Sequence, residues 1–502
     1  MSSIKLPIYL TQQIRDIERL AAERFDILPA VLMQRAGQAA FEYLQHRWPT
    51  AKKIAVICGA GNNGGDGYVL AKFAHESGLA VTIWQIGNHG KKSAEANNAY
   101  QFCLKAAVPI FPFTAQANLQ HPDVIVDAMC GIGVQSVLRE EVLLAIEKIS
   151  QTNAAILSID IPSGIHADTG QILGSAISAA ATVTFIGLKL GLFTGSGITY
   201  SGEVICYDLD LPSELFSYVE PIAEKIHLNC YTSYLHPRAR NWHKGLSGHV
   251  LMIGGALGFA GAICMAAAAA LRVGAGLVSV ATHPEHAALI SMTCPEIMSH
   301  GVKNEDDLLP LFAKATVIVV GPGLQSSCWA KNLWLAACQQ SLPILLDADG
   351  LNLLSATSMR NDHWVLTPHP GEAARLLQTT SEHIQRDRLH AVQSIQQRYG
   401  GVCVLKGAGS LIMAEHDLPA LCDQGNPGMS TAGMGDILSG VIAGFIAQNI
   451  PLHVAAKLGV CLHAIAGDLA AKEGERGMIA TDLLPYLRRM ANFSFPLHND
   501  LT

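Results

Sequence analysis

The stretch Val56–Phe73, VICGAGNNGGDGYVLAKF, decides the fold of the first half of the chain. Its apolar start predicts a buried β-strand, and the glycine-rich segment after it predicts a tight loop that opens a helix. Three glycines match G-x-G-x-x-G, the loop that binds dinucleotide phosphates, namely Gly59, Gly61 and Gly64. The same loop carries Asn62, Asn63 and the carboxylate of Asp66, which is unusual beside bound phosphates.

The end of the next strand argues against ordinary NAD binding. A dinucleotide-binding unit usually places an acid there, to hold the ribose hydroxyls. The strand here is VTIWQIG, and it ends at Gln85, Ile86 and Gly87 without an acid. The glycines alone therefore leave two interpretations open, a turn that closes a strand–helix junction or a loop that binds a nucleotide.

Composition excludes several classes of protein. The chain has 502 residues, which predicts two to four domains, and 50% of them are hydrophobic. A net charge of −7 without a basic block argues against nucleic acid. The 12 cysteines form no C-x-x-C motif, which fits a reducing cytoplasm. The N-terminus lacks a signal-peptide pattern, and the uncharged stretch 246–271 divides into strand, loop and helix, so we expect no membrane span.

Two series of apolar runs alternate with helical segments, which predicts two α/β domains with parallel sheets covered by helices. A helical pattern from Thr11 to about Trp48 precedes the first series. The first series reads KIAVICG, LAVTIWQIG, DVIVDAM, AAILSIDIP and ATVTFIG. The second reads HVLMIGG, GLVSVAT, ATVIVVGPG, LPILLDADG, HWVLTPHPGE and GVCVLKGAGSLI. A polar, weakly periodic segment separates them, so we place domains at 1–222 and 244–502 with a linker at 223–243.

Polar residues at strand ends point to a site in the first domain. Asp127 ends one strand, and Asp160 ends another before the sequence IPSG. Ligands of open α/β sheets bind at the carboxyl ends of strands, so these residues and Asn62–Asp66 are expected to share a crevice. Each acid could instead cap a helix. Carboxylates near phosphates also favour a bound hard cation with oxygen ligands.

The second domain carries a stronger signal, GNPGMSTAGMGDILSGVIAGF. Gly433 and Gly435 precede Asp436 at the predicted start of an apolar helix, where backbone N–H groups attract anions. A base beside an anion hole can deprotonate a hydroxyl for attack on a phosphoryl group, although Asp436 could be a plain helix cap. Asp347 and Asp349 could likewise cap a helix or help to organise magnesium.

The first half resembles the epimerase domain of NAD(P)H-hydrate repair enzymes, through GAGNNGGDG, DAMCGIGV and SIDIPSG. The resemblance implies a Rossmann-like three-layer αβα fold that binds a damaged dinucleotide as substrate, with Asp160 at the substrate and K⁺ as cofactor. Opening and reclosing C6 of the hydrated ring requires proton transfer to or from a hydroxyl, so Asp160 is the candidate catalytic residue. Asp66 is a second candidate, and its alternative role is to fix the loop. The implied substrate-binding residues are Asn62, Asn63, Gly64, Gly65, Asp66, Gly131, Ile132, Gly133, Val134, Gln135, Ser136, Val137 and Asp160, and the K⁺ ligands are Asn63, Asp127 and Ser163. Many relatives read F-G-T-G where this chain reads CGIG, so Ile132 replaces a threonine.

The second half resembles ribokinase-like NAD(P)H-hydrate dehydratases, through GPGL, DADGLNLL, TPHPGE, KGAGS and NPGMSTAGMGD. The resemblance implies a ribokinase-like αβα fold with Asp436 as base and substrate ligand, and Mg²⁺ entering with ADP. The implied anion hole is Gly433, Met434 and Gly435; the implied nucleotide-binding residues are Lys406, Gly407, Ala408, Gly409, Ser410 and Gly435; the implied substrate pocket contains Ala262, Gly323 and His369.

Together the two resemblances imply one repair pathway. The first domain would interconvert the R and S forms of hydrated NADH and NADPH (NADHX and NADPHX). The second would dehydrate the S form with ADP, giving NAD(P)H, AMP and phosphate. They also imply a cytoplasmic homo-oligomer, a tetramer or octamer. Two alternatives stay open, a ribokinase-like kinase of small alcohols and a dehydratase whose first domain is a non-catalytic binding module.

Overall fold

The structure is a computed structural model, and it describes residues 5–87, 90, 92–119 and 121–492. The chain divides into two compact units, and the division falls between Ala223 and Glu224. Residues 6–223 form the N-terminal unit, and residues from 224 onward form the C-terminal unit. Each unit has its own buried apolar core.

The N-terminal unit is a three-layer αβα arrangement. Its strands are β1 Leu6–Tyr9, β2 Lys53–Cys58, β3 Ala80–Gln85, β4 Ile110–Pro112, β5 Val124–Ala128, β6 Ala155–Ile159, β7 Ala181–Phe185, β8 Leu188–Lys189 and β9 Glu203–Tyr207. Its helices are α1 Thr11–Phe25, α2 Pro29–Arg47, α3 Asn62–Glu76, α4 Ala94–Lys105, α5 Glu140–Ser150 and α6 Gly197–Tyr200.

The main sheet of this unit has the order β4-β3-β2-β5-β6-β7-β9, and every pairing in it is parallel. The chain first builds outward from β2 through β3 to β4, and then returns to place β5 on the other side of β2. The loops after β2 and β5 therefore diverge, which leaves a crevice between them at the carboxyl ends of the strands. The glycine-rich loop lies at this position.

The predicted helical pattern from Thr11 to about Trp48 is wrong in one respect, since it forms two helices, α1 and α2. Asp26 has a left-handed backbone with φ of 55°, which ends α1. Pro29 then occupies the first position of α2, where a missing N–H costs nothing. The apolar face predicted for this region is real, because Ile14, Ile17 and Ala21 are buried.

The C-terminal unit repeats the layered plan. Its strands are β10 Ala223–Lys225 (which begins at the boundary), β11 His249–Ile253, β12 Leu277–Thr282, β13 Met298–Gly301, β14 Val317–Val320, β15 Ile344–Leu346, β16 Trp364–Leu366, β17 Val402–Leu405, β18 Ser410–Ala414 and β19 Ala420–Cys422. Its helices are α7 Ala260–Arg272, α8 Ala287–Thr293, α9 Leu309–Phe312, α10 Cys328–Cys338, α11 Asp349–Leu354, α12 Pro370–Leu377, α13 Ser381–Arg386, α14 Arg388–Tyr399, α15 Met434–Ala447, α16 Leu452–Ala470 and α17 Leu483–Met490.

The sheet of the C-terminal unit runs β13-β12-β11-β14-β15-β16-β17-β18-β19-β10. It is parallel from β13 to β17, as the alternation of strands and helices predicts, whereas β18 is antiparallel to both β17 and β19. The segment KGAGS is the reason, because a short glycine-rich turn joins β17 to β18 and only antiparallel neighbours can be joined that way. Strand order reverses between β11 and β14, so their loops also diverge.

Two long apolar stretches of the sequence are part of the C-terminal unit. The uncharged stretch 246–271 is divided among a 3-10 turn, β11, a loop and α7, as expected from its sequence. Within the described residues, Leu452–Glu473 is long and apolar enough to cross a membrane, and its most apolar window is 89% buried inside the protein. This burial identifies α16 as a core helix, packed against α15.

Candidate functional site

A cavity of about 420 Å³ opens at the point in the N-terminal unit where the loops after β2 and β5 diverge. The glycine-rich loop, the segment after β5 and the end of β6 all contribute to its wall. Among its lining residues are Gly61, Asn62, Asn63, Asp66, Cys130, Gly131, Ile132, Gly133, Val134, Asp160 and Lys189. The predicted crevice therefore exists, and it brings together residues from three separate sequence motifs.

Asp160 lies at one wall of this cavity and is held by several contacts. Its backbone φ is 69°, a left-handed conformation that costs energy in a residue with a side chain. Oδ1 accepts a hydrogen bond of 2.6 Å from Nζ of Lys189, and Oδ2 accepts one of 3.4 Å from the backbone N–H of Ile132. The latter contact uses the main chain, so the replacement of threonine by Ile132 does not remove it.

Lys189 is a residue of this cavity that sequence reasoning misses. Its side chain is fully buried, and Nζ donates to Asp160, to Oγ1 of Thr184 at 2.8 Å and to the carbonyl of Phe185 at 2.8 Å. Three donors thus meet three acceptors, as a buried ammonium requires. Nothing in LKLG signals this role, because a buried lysine and a surface lysine look alike in such a segment.

Two further carboxyl groups, Asp66 and Glu18, line the same cavity. Burial raises the pKa of Asp66 well above its ordinary value, and the nearby charges of Asp160 and Glu18 raise it further. Burial and the charge of Asp160 likewise raise the pKa of Glu18. Carboxyl groups that share a water-poor site favour the protonated form, since their charges repel each other.

The residues expected to hold K⁺ lie beside and beneath the cavity. Asp127 is fully buried and accepts hydrogen bonds from Ser158 and from both the hydroxyl and the backbone N–H of Ser163. Asn63 is also buried, and its Oδ1 and Nδ2 have no hydrogen-bond partner among the described residues. An orphaned buried amide is costly, so its carbonyl oxygen fits a role as ligand to a cation.

The other residues expected at this site fall into two groups. Gly64 and Gly65 are buried, and Gly64 packs so closely on the carbonyl of Gly59 that a side chain would not fit. They shape the loop without lining the cavity. Gln135, Ser136 and Val137 follow the lining segment but lie outside the cavity wall, and the side chain of Val137 is largely exposed.

In the C-terminal unit, the start of α15 forms the second candidate site. Gly433 immediately precedes the helix with φ of 93°, a conformation that glycine adopts without strain. Asp436 lies in the first turn of α15, and no side-chain hydrogen bond caps the helix. The helix N–H groups at Met434 and Gly435 are therefore not capped by a side chain, as an anion hole requires.

A cluster of charges surrounds this helix start. Nζ of Lys406 donates to Oδ1 of Asp347 at 2.8 Å and lies 3.8 Å from Glu372. The other Asp347 oxygen accepts a 2.7 Å hydrogen bond from Ser439 on α15. A Cβ atom built on Gly435 would lie 3.1 Å from the Lys406 ammonium, so this cation borders the predicted anion hole.

The cluster shifts the protonation equilibria of its acids. Burial raises the pKa of Asp436 to about 7, with a further contribution from Asp347, while Lys406 acts to lower it. Burial also raises the pKa of Glu372 to about 7, against the opposing effect of Lys406. Burial acts to lower the pKa of Lys406, but the surrounding acids outweigh it and the net shift is upward. An acid with a pKa near neutrality is suited to general-base catalysis.

The remaining residues expected at the second site lie around this cluster. A Cβ atom on Gly323 would lie 3.4 Å from Cβ of Ala262, which places Gly323, in the loop after β14, beside Ala262 in the first turn of α7. His369 precedes α12, and its Nδ1 accepts hydrogen bonds from the backbone of Gly371 and Glu372. Its role in the fold is a helix cap, and half of its side chain is exposed.

The segment 406–410, KGAGS, is held by a buried arginine that sequence reasoning also misses. Arg388 is 2% exposed and donates to the backbone carbonyls of Leu405, Lys406 and Gly409. Burial lowers the pKa of its guanidinium to about 10, so it stays charged at neutral pH. This contact fixes the shape of the turn between β17 and β18, where Gly407, Ala408 and Ser410 also lie.

The acids Asp347 and Asp349 differ in what they can hold. Both oxygens of Asp347 are engaged by Lys406 and Ser439, and Oδ2 of Asp349 accepts the backbone N–H of Gln325. Across residues 5–87, 90, 92–119 and 121–492, no group of three or more His, Cys, Asp or Glu side chains could hold a metal ion. A magnesium ion at this site would therefore take most of its ligands from the phosphates of a nucleotide.

Comparison with known proteins shows the family to which the chain belongs. A family model described as NAD(P)H-hydrate dehydratase matches residues 250–489, and one described as YjeF-related protein N-terminus matches residues 29–191. The bifunctional NAD(P)H-hydrate repair enzyme Nnr of Coxiella burnetii is 47% identical over 486 residues, which cover 97% of this chain and 99% of the relative. The chain belongs to the family of bifunctional NAD(P)H-hydrate repair enzymes.

Other relatives are less similar in sequence to this chain. The Nnr protein of Vibrio cholerae is 40% identical over 485 residues, covering 96% of this chain and 98% of the relative. A solved ADP/ATP-dependent NAD(P)H-hydrate dehydratase of Bacillus subtilis, co-crystallised with ATP and Mg²⁺, aligns with a TM-score of 0.47 at 25% identity and covers 52% of this chain and 95% of that one.

The family models and the curated relatives confirm the family expected from the sequence, and the structure confirms the expected two-part α/β fold. They do not support the alternative of a kinase of small alcohols, because the curated relatives carry the epimerase-type first half and match almost the whole chain. The two candidate sites are therefore interpreted as sites of a bifunctional repair enzyme.

Proposed function

We propose that this repair enzyme interconverts the R and S forms of NADHX and NADPHX at the N-terminal cavity, and dehydrates the S form at the start of α15 with ADP. Asp436 carries this proposal. It lies in the first turn of a helix whose N-terminus no side chain caps, and its pKa is raised to about 7. A base beside an anion site is the arrangement that phosphoryl transfer to a hydroxyl requires.

The dehydration begins at the C6 hydroxyl of the hydrated ring. Hydroxide is a poor leaving group, so the oxygen must first be activated. Asp436 takes the hydroxyl proton while the oxygen attacks the terminal phosphorus of ADP, and AMP departs. Phosphate then leaves C6 as the ring nitrogen supplies its electron pair, and loss of a ring proton gives NAD(P)H. The backbone N–H groups of 433–435 and the Lys406 ammonium stabilise the charge on the transferred group.

The choice of Lys406–Ser410 as the nucleotide segment is supported by its shape. Glycines at 407 and 409 leave the backbone open to close approach by phosphates, and Arg388 keeps the turn fixed from the buried side. Mg²⁺ would enter with ADP and neutralise charge on its phosphates. Ala262, Gly323 and His369 would contact the hydrated dinucleotide.

Epimerisation is assigned to the N-terminal cavity with Asp160 as the catalytic group. The hydrated ring would bind in this cavity of about 420 Å³, which the start of α3 reaches through Asn62, Asn63 and Asp66, and which the segment Gly131–Val134 also lines. Gln135, Ser136 and Val137 would contact phosphates that extend out of the cavity. K⁺ would be held by Asn63, Asp127 and Ser163, where it would offset negative charge near the phosphates.

Several features of the assembly are part of the same proposal. The enzyme would act on small molecules in the cytoplasm, as a homo-oligomer of four or eight copies. The proposal keeps the domain limits at 1–222 and 244–502, with a linker at 223–243 between them. Each proposed site then belongs to a separate domain.

The first experiment mixes the wild-type protein with R and S NADHX, ADP, Mg²⁺ and K⁺, and follows recovery of reduced-nicotinamide absorbance. We expect complete recovery, faster than spontaneous epimerisation permits. The variant Asp436→Asn keeps the shape of the residue but removes the base, and should slow dehydration by about 100-fold or more. Its epimerase activity serves as an internal control and should match the wild type.

The outcomes separate the two halves of the proposal. If only the S fraction is recovered, the dehydratase assignment stands and the first domain is a binding module without epimerase activity. Dehydration by Asp436→Asn at the wild-type rate would remove Asp436 from the mechanism. No recovery with either ADP or ATP would refute the dehydratase assignment. Omission of K⁺ tests the cation proposal, since it should slow epimerisation and leave dehydration unchanged.

A further inference from the structure

The N-terminal cavity is lined by three acids, more than one proton transfer requires, namely Asp160, Asp66 and Glu18. Three cations also line it, Arg15, Arg139 and Lys189. The Lys189 ammonium contacts Asp160 at 2.6 Å, while neither of the other two acids lies within 4.0 Å of it. Among these three carboxyl groups, Asp160 therefore receives most of the stabilisation that a neighbouring cation gives to a negative charge.

Asp66 differs from Asp160 in its surroundings. It lies in the first turns of α3, facing the cavity, and Lys189 acts on it only from a distance. Burial and the negative charges of Asp160 and Glu18 raise its pKa. Two carboxyl groups whose environments differ in this way divide the roles of acid and base between them.

We propose that Asp66 and Asp160 form an acid–base pair that shares one proton, and that Lys189 is the positioning residue that fixes the negative charge on Asp160. The pair deepens the proposed epimerase function and rests on it. Asp66 is then a second catalytic residue of the N-terminal cavity, in addition to shaping the glycine-rich loop.

The chemistry of the substrate needs such a pair. Asp66 gives its proton to the C6 hydroxyl, the C–O bond breaks, and water leaves with the bonding electrons. The lone pair of the ring nitrogen forms a C=N bond. Water then attacks C6 from the opposite face, the C=N electrons return to nitrogen, and Asp160 takes the proton. No oxidation occurs, and one proton has moved from Asp66 to Asp160.

The reverse reaction uses the same groups with their roles exchanged. After one turnover Asp160 carries the proton and Asp66 is ionised, which is the state that epimerises the S form back to R. Exchange with solvent resets the pair. A single proton shared between two carboxyl groups therefore serves both directions, as an interconversion of epimers demands.

Other charged groups also lie around Asp160. Glu18 and Arg15 line the cavity from α1, Asp66 from α3 and Lys189 from β8, and Cys206 on β9 interacts electrostatically with Asp160. Arg139 lines the same cavity. Among these groups Lys189 makes the direct contact, a hydrogen bond of 2.6 Å, so its removal should slow epimerisation more than the removal of any other cation.

The test compares Asp66→Asn and Glu18→Gln in the full-length protein, with conversion of R to S NADHX followed by chiral separation. We expect Asp66→Asn to slow epimerisation by about 100-fold or more, and Glu18→Gln to have a much smaller effect. Dehydration of S NADHX should stay at the wild-type rate in both. If Asp66→Asn epimerises at the wild-type rate, or if Glu18→Gln loses more of the rate than Asp66→Asn, the proposed acid–base pair is refuted.

Lys189→Ala tests the positioning role through the kinetic constants. Without the ammonium, the Asp160 carboxylate loses the contact that holds it in place, so kcat of epimerisation should fall while KM for the R form changes little. Ethylamine, which can occupy the space left by the side chain, should restore part of the rate. An unchanged kcat would refute the role of Lys189. Lys457→Ala is the matched control, since Lys457 is also buried and paired with acids, but in the C-terminal unit.

A failure of the pair is distinguishable from a failure of the proposed function. If wild-type protein does not convert the R form at all, the epimerase assignment itself is wrong. If Asp160→Asn loses conversion and Asp66→Asn does not, the epimerase assignment stands and the shared proton is refuted. If Lys189→Ala does not fold, the comparison of Asp66→Asn with Glu18→Gln decides whether Asp66 and Asp160 act as a pair.

Discussion

Asp436 shows how single residues acquire function from their surroundings. Three acids and one lysine share the space at the start of α15, so the charge on each depends on the others. Lys406 stabilises ionised Asp436, while Asp347 and Glu372 oppose it. Removing the lysine and removing an acid should therefore move the titration of Asp436 in opposite directions.

The pH profile of dehydration measures this balance. If Asp436 is the base, as proposed, kcat/KM should fall as pH drops below about 7, by about tenfold per pH unit. Lys406→Met should shift this limb to higher pH, since the carboxylate loses its cation. Glu372→Gln should shift it to lower pH, since a repelling charge is removed. Limbs that move in the same direction in the two variants would contradict the electrostatic account.

At the same scale, the sequence identifies the acidic residues of the two candidate sites far better than the basic residues around them. Asp160 and Asp436 follow recognisable motifs, so the sequence alone identifies them as candidate site residues. Lys189 and Arg388 escape such reasoning, because their roles depend on burial and on carbonyl groups that only the folded chain brings within reach. The sequence names Asp127 as a site residue, but not its network of three serine donor groups.

At the scale of elements, the start of α15 depends on one backbone conformation. Gly433 has φ of 93°, and a Cβ there would lie 2.6 Å from the terminal methyl of Met265. Gly433→Ala should therefore destabilise the C-terminal unit by about 1–3 kcal/mol, measured by denaturant unfolding. Dehydration should fall further than stability alone explains, because the N–H groups of the anion hole are displaced.

A matched control separates backbone strain from the loss of the site. Gly474 also has positive φ, at 125°, but a Cβ there would meet nothing within 4 Å. Gly474→Ala should lose stability through strain and retain dehydration per folded molecule. Equal loss of dehydration in both variants would show that the anion hole does not depend on Gly433.

Elements also show where sequence reasoning fails. Periodicity continues through Asp26 and Pro29, so the sequence predicts one helix where two exist. The apolar runs identify the central strands, but short edge strands such as β4 and β13 have only three or four residues and little pattern. Strand direction is not encoded in periodicity either, and only the short turn at 406–410 signals that β18 is antiparallel.

At the scale of the whole molecule, the chain joins two units that each contain an apolar core, a wholly or mainly parallel sheet and a candidate site at the point where strand order reverses. The sequence predicts this repetition of plan, because the alternation of strands and helices stops near residue 212 and resumes near 249. Each site is built from residues of one unit, so neither needs the other's side chains.

This separation predicts that the two activities can be supplied by different molecules. Asp160→Asn should lack epimerisation and retain dehydration, and Asp436→Asn should show the reverse. An equimolar mixture of the two variants should then convert R NADHX completely to NADH, although neither variant does so alone within the same time. The S form must diffuse between proteins in such a mixture. If the R form persists in the mixture although each variant keeps its own activity, transfer of the S form between the sites requires both working sites in one chain.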